Sequence, residues 1–317
     1  MPVIVANRKE QTDGTMHRIF EMVQSKLPIV LMSKTRGFKF NDSLSGVKDY
    51  VLVEVSELGW DWNWNENGSH RWGINIDKFP QFSENEHYQR FNDWVAANPP
   101  KLTFQRELLK QDVSDTVKPI DYPAWFATGG VQSKAEFGRR IISLFSYWGR
   151  SSERRLSIHG SIWLNAVKNG HCVVDNIYYL EKAIMEERGS IWVTLNIPHY
   201  HRISIENILK WNGMSKLGLS LRGAGRKCFR TQEVSINSVL CKHEDELAYS
   251  YEWVHGENCI EIPYGETENC IEEMEAIELA LKRDDLYEIY RDGATNCSKY
   301  HANTYVKDYI EPIINAI

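Results

Sequence analysis

The sequence predicts an α/β protein built as two Rossmann-like halves, each a parallel sheet with helices. Three observations predict it. Short apolar runs alternate with stretches of helical spacing, the order expected of strand–helix–strand units. The pattern starts twice, once at Val3 and again near Arg139, across a segment rich in Pro and Gly. A chain of 317 residues also exceeds what one small core holds, which favours about two domains.

In the first half, Val3 to Ala6 reads as a short strand. "DGTMHRIFEMVQSKL" reads as a helix, with Ile19, Phe20, Met22 and Val23 at helical spacing. "PIVLMS" (28–33) and "YVLVEVS" (50–56) are two more strands. "ELGWDWNWNENGSHRWG" is a loop whose tryptophans either form a binding surface or cap a core edge. "NEHYQRFNDWVAA" is a helix closed by Pro99-Pro100, and "VKPIDYPAWFATGG" (117–130) reads as an interdomain linker.

The second half opens on "RRIISLFSYWG" (139–149), a strand ending at Gly149. "SERRLSIHGSIWLNAVKNG" follows as a helix or helix pair ending at Gly170. "SIWVTLNI" (190–197) is a strand, "SIENILKWNGM" a helix, and "LGLSLRG" (217–223) a strand. "EVSINSVLC" has the length and apolar spacing of the next helix, and "CIEIPYG" (259–265) is a strand. "ENCIEEMEAIELALKRDDLYEIYRDGATN" is one long amphipathic helix or two, and the terminal helix pattern is interrupted at Pro312.

Composition excludes several classes. No apolar run approaches the roughly 18 to 20 residues that cross a bilayer, and "MPVIVANRKEQ" lacks the layout of a signal peptide. The six cysteines form no CxxC pair, so neither a disulfide framework nor a zinc ribbon is expected, and a cytoplasmic protein with reduced thiols fits. The net charge of -6 conceals an asymmetry: residues 126–230 carry 16 basic and 7 acidic side chains, whereas 231–317 carry 6 and 19. An acidic tail reads as solvated helix faces. The basic middle asks for an anion, because its charges gather near glycines.

Two strand-to-helix loops hold those charges. One is Gly149-Arg150-Ser151-Ser152-Glu153-Arg154-Arg155. The other is "SLRGAGRKCFRTQEV", with Arg222, Gly223, Gly225, Arg226, Lys227, Arg230, Thr231 and Glu233. In parallel α/β sheets ligands bind outside the carboxyl ends of the strands. Glycine lets backbone N–H groups approach an anion, a helix start adds positive potential, and arginine adds a fork of donors. Two such loops side by side clamp a diphosphate. If "CFRTQEV" opens a helix, Arg230 and Glu233 share one face. One then reaches phosphate while the other accepts hydrogen bonds from ribose hydroxyls, or the two form a plain surface ion pair. The sequence has no G-x-G-x-x-G after its first strand, no G-x-x-x-x-G-K-[ST] and no Asp-x-Asp.

The order of these pieces over roughly 139–317 resembles the donor half of GT-B glycosyltransferases. The closest motif likeness is to the group that reads R-x-x-E at the opening of that helix. "CFRTQE" matches the small–apolar–Arg–x–x–Glu segment, while Asn237 stands where the family has a glycine. The resemblance implies two domains facing a cleft: an acceptor domain at 1–130, a nucleotide-sugar donor domain at 131–298, and a terminal helix at 299–317 packing back on the first. It implies Glu233 as ribose ligand, Arg230 as phosphate ligand, and Arg150 and Arg155 as the cations that neutralise the leaving diphosphate. Gly149, Ser151, Gly223, Gly225, Arg226, Lys227, Thr231 and His199 complete the expected donor contacts. Retaining members of that family often carry a second acid eight positions before the ribose acid, and position 225 here is glycine instead.

No metal or other cofactor is expected, because the cations can stabilise the leaving group themselves. Asp13 and His17 are candidate bases for the acceptor hydroxyl, with Asp42 a third. His199 and His201 follow a strand and suit the nucleotide side. The partners expected are a nucleotide-sugar donor and a hydroxyl acceptor, with a hydroxymethylated DNA base as the favoured special case. A non-catalytic phosphate-binding module and a nucleic-acid-binding protein are the competing readings.

Overall fold

The computed structural model describes residues 3–6, 29–33, 50–54, 94, 96–106, 108–121, 130–149, 153–186, 190–197, 203–221, 227, 230–264, 270–300, 304 and 306–316. The chain divides into two compact units. One comprises Met1–Asp121, Glu246–Ser250 and Tyr305–Ile317, the other Tyr122–Asp245 and Tyr251–Thr304.

The first unit holds a parallel sheet of β1 (Val3–Ala6), β2 (Ile29–Ser33), β3 (Tyr50–Glu54), β4 (Leu102–Gln105) and β5 (Val117–Pro119), paired in sequence order. Tyr50, Val51, Leu52 and Val53 are all buried, as expected of a parallel strand covered on both faces. β5 was expected to be linker. It is an edge strand, where Pro119 costs no ladder bond. Residues 246–250 and 305–317 return to this unit. Asp121 Oδ2 accepts from Ser250 N at 2.7 Å, Asp121 N donates to Tyr309 Oη at 3.3 Å, and Tyr309 meets Phe104 edge-on at 5.5 Å. The first-half helix expected around 13–27 and the Trp-rich loop lie outside the described residues, as does most of the one ending at Pro99.

The second unit is a six-stranded parallel sheet of β6 (Ile142–Gly149), β7 (Cys172–Val174), β8 (Ile191–Ile197), β9 (Ser215–Ser220), β10 (Val239–His243) and β11 (Ile260–Ile262), in the order β11-β10-β9-β6-β8-β7. Alternation sends successive residues to opposite cores. Leu144, Leu217 and Leu219 face one cluster with Ile158 and Ile162 of α2 (Glu153–Lys168). Phe145, Val193 and Leu195 face another with Leu180 of α3 (Ile177–Met185) and Trp211 of α4 (Ile205–Gly213). A short α1 (Lys134–Gly138) precedes β6, closed by a reciprocal Ser133–Glu136 capping box.

Several boundaries differ from the sequence reading. "EVSINSVLC" is not one helix: α5 (Arg230–Ser235) ends early and β10 begins at Val239. All six residues of α5 are buried, so tertiary packing rather than an amphipathic stripe holds it. The long acidic stretch is two helices, α6 (Ile271–Leu281) and α7 (Leu286–Ser298), and 153–168 is a single one. The terminus is a π-helical turn, Val306–Ile310, followed by α8 (Glu311–Ala316) with Pro312 in its first turn, where a missing N–H is harmless.

Candidate functional site

β6 and β9 are neighbours at the centre of the second sheet. After β6 the chain runs to β7 and β8 on one side; from β9 it goes on to β10 and β11 on the other. α2, which follows β6, packs on the Leu144 face. α5, which follows β9, lies over the opposite face, where an added Cβ on Gly218 would meet Val234 Cγ1 and Ser238 Oγ at 2.6 Å each. Only glycine lets the helix sit that close. Connections that leave adjacent strand ends toward opposite faces create a topological switch point, the usual place for a ligand in such sheets.

Two contacts seat the first turn of α5 there. Thr231 Oγ1 and Ser220 Oγ, at the last residue of β9, are 3.1 Å apart. The Arg230 guanidinium lies over the ring of Tyr147 on β6, 4.8 Å from its centroid. Arg230 and Glu233 retain only 8% and 5% of their exposure. They are therefore not the plain surface pair that their spacing also allowed. Arg230 Nε and Glu233 Oε2 are buried without a hydrogen-bond partner, as is Gln232 Oε1. Burial pushes the Glu233 carboxyl above its ordinary range, and the nearby Arg230 charge partly opposes it. Lys227, just ahead of the helix, is also buried.

Unpaired buried groups are rare, because each forfeits its hydration for nothing. An N–H of a guanidinium calls for an acceptor, best an anion; a carboxylate oxygen calls for a donor such as a hydroxyl. Of the other expected residues, Gly149 closes β6 and Arg155 lies in the first turn of α2. Arg150, Ser151, Gly223, Gly225, Arg226 and His199 lie outside the described residues, as do Asp13, His17, Asp42, His201 and Arg222. Sequence reasoning missed Tyr147, Ser220 and Gln232. The Ser220–Thr231 tie joins two short polar residues eleven apart, which no local pattern signals. Among the described residues, no three His, Cys, Asp or Glu side chains gather as metal ligands.

No protein-family model matches the sequence, and no curated protein matches it. Solved structures do resemble the fold. A glycosyltransferase from Rickettsia africae ESF-5 superposes with a TM-score of 0.52 at 10% identity, covering 98% of this chain and 83% of that one. A UDP-forming α,α-trehalose-phosphate synthase from Burkholderia xenovorans gives 0.52 at 8% identity, over 96% and 79%. A GtfA/B complex gives 0.51 at 10% identity over 95% of this chain, which spans 60% of that chain's length. At such identity the likeness is one of fold: mixed α/β with parallel sheets, shared with glycosyltransferases of the GT-B type.

Proposed function

We propose that the protein is a glycosyltransferase that moves a sugar from a nucleoside-diphosphate donor to a hydroxyl acceptor. The observation that carries this reading is the buried pair on α5. Arg230 Nε needs an acceptor and Glu233 Oε2 needs a donor, a few residues apart at the switch point of a parallel sheet. A diphosphate and a ribose supply those two partners in one molecule. The fold shared with glycosyltransferases supports the same reading.

In this reading Arg230 and Lys227, with Arg150 from the loop after β6 and Arg155 from the first turn of α2, stabilise charge that develops on the departing diphosphate. Glu233 holds the ribose hydroxyls. Gly149, Ser151, Gly223, Gly225, Arg226, Thr231 and His199 are proposed as the remaining donor contacts, and Asp13 and His17 as bases for the acceptor proton. Cations take the role that a metal serves elsewhere, so turnover is expected to survive EDTA. The acceptor is proposed to be a hydroxyl compound, with a hydroxymethylated base in DNA as the special case to try first.

The test is calorimetric titration with UDP and GDP, then assay of the matching nucleotide sugars for slow hydrolysis. Arg230→Ala should weaken diphosphate binding by about 1.5–3 kcal/mol, the range for a charge-assisted hydrogen bond. An unchanged affinity sinks the assignment. Tight binding with no hydrolysis or transfer on any nucleotide sugar would favour a non-catalytic module instead.

A further inference from the structure

We infer that Tyr147 is a positioning residue of the donor site, a platform whose ring holds the Arg230 guanidinium in place and leaves its Nε donor unspent. The inference rests on the nucleoside-diphosphate reading above.

A guanidinium offers two surfaces, a face that stacks on rings and an edge of N–H donors. A carboxylate partner would orient Arg230 by consuming the edge. A ring orients it through the face alone. Here the guanidinium carbon lies over the Tyr147 ring, 4.8 Å from its centroid, and Nε is left buried and unpaired. The platform is itself rigid: Tyr147 sits third from the end of β6, paired in register with Leu195, and packs against the cluster of Phe145, Leu195 and Trp211. A strand-borne ring at the switch point therefore fixes where the cation stands before any ligand arrives, which removes ordering cost from binding.

Arg140 supplies an internal control. Its guanidinium also lies over rings, those of Phe137 at 4.3 Å and Tyr290 at 4.5 Å. Each of its three nitrogens, however, has an acceptor: Nε and Nη2 donate to Gln132 Oε1 at 3.2 and 2.8 Å, and Nη1 donates to Ser215 O at 2.6 Å. An arginine that serves only structure gives every nitrogen an acceptor within the protein. Arg230 keeps a donor back.

The test is a double-mutant cycle on affinity for UDP or GDP, whichever the wild-type protein binds. Tyr147→Leu should weaken binding roughly 3- to 30-fold, the span of a cation–ring contact. Tyr147→Phe, which keeps the ring, should restore most of the loss. In an Arg230→Ala background, Tyr147→Leu should change affinity less than twofold, because the ring then has nothing to hold. Melting temperatures separate the alternatives. If Tyr147→Leu weakens binding equally with and without Arg230, or Tyr147→Phe fails to rescue it, Tyr147 is only a packing residue and the inference is overturned. If the wild-type protein binds no nucleoside diphosphate, the donor-site reading itself has failed. Should Tyr147→Leu not fold, Tyr147→Met replaces it in the same cycle.

Discussion

The two ends of β6 hold the same device put to opposite uses. Near its amino end Arg140 is buried against two rings that stack on each other, and neutral carbonyls take its donors. Toward its carboxyl end Arg230 is buried over one ring, with Nε unpaired near a carboxyl whose pKa burial has pushed up. Burial has pulled the Arg140 pKa down to about 10, with Tyr290 opposing, yet each of its nitrogens has an acceptor. The difference separates structure from function better than burial or charge does. A polar group closed on the protein stabilises the fold; one kept unpaired at a switch point is, in the proposed reading, held for a ligand.

The largest effect should come from the closed end. Arg140→Ala removes three charge-assisted hydrogen bonds and two ring contacts, and leaves the Ser215 carbonyl without that donor. A loss of about 3 kcal/mol in unfolding free energy is expected from denaturant titration. Nucleoside diphosphate affinity should change less than twofold. The mirror image is Arg230→Ala, which should lose affinity and little stability. If both variants lose affinity alike, the contrast between the two ends collapses.

A middling effect should come from the seat of α5. Gly218→Ala places a Cβ 2.6 Å from Val234 Cγ1 and Ser238 Oγ and 2.9 Å from Asn212 Oδ1, so the helix must move. Overpacking of this kind costs about 1–3 kcal/mol. Because the displaced helix carries Arg230 and Glu233, affinity should fall together with stability, unlike in either arginine variant. A loss of stability with affinity intact would mean that α5 tolerates displacement and that the site does not depend on its close approach.

Much of the fold was legible because the second sheet is buried on both faces. β6 and β8 appear as mostly apolar runs, the signature of parallel strands. β7 and α3 were not read. Three residues, Cys172 to Val174, are too short to show a period; the usable signal was Asn176, whose side chain accepts from Tyr178 N and caps α3. α5 and β10 were merged because a six-residue helix has no room for a 3.6-residue pattern, and the break at Asn237-Ser238 was the only local clue. At the site, Arg230 and Glu233 were readable as a charge pair three apart in a glycine-rich context. Tyr147 was not, because an aromatic in an apolar strand reads as core, and only the tertiary contact distinguishes a platform from a filler. Whether Arg230 and Glu233 met solvent or each other's burial was likewise beyond sequence spacing.

The smallest effect is also the most pointed test of the unpaired end. Burial raises the Glu233 pKa, so the folded protein holds that proton more tightly than the unfolded chain does. The stability contributed by that proton is present below the unfolded pKa and is lost as pH rises through the folded one. Glu233→Gln cannot ionise and escapes the loss. Its melting temperature should therefore match or trail the wild type in the acid range and gain on it steadily as pH climbs past the ordinary carboxylate range. The same variant should bind nucleoside diphosphate more weakly, since a ribose hydroxyl bonds a carboxylate more strongly than an amide. A gain in stability joined to a loss of affinity is what a ligand-binding acid, held unpaired in the free protein, requires. A variant that loses stability at high pH would show that Glu233 serves the fold, and the two ends of β6 would then be alike.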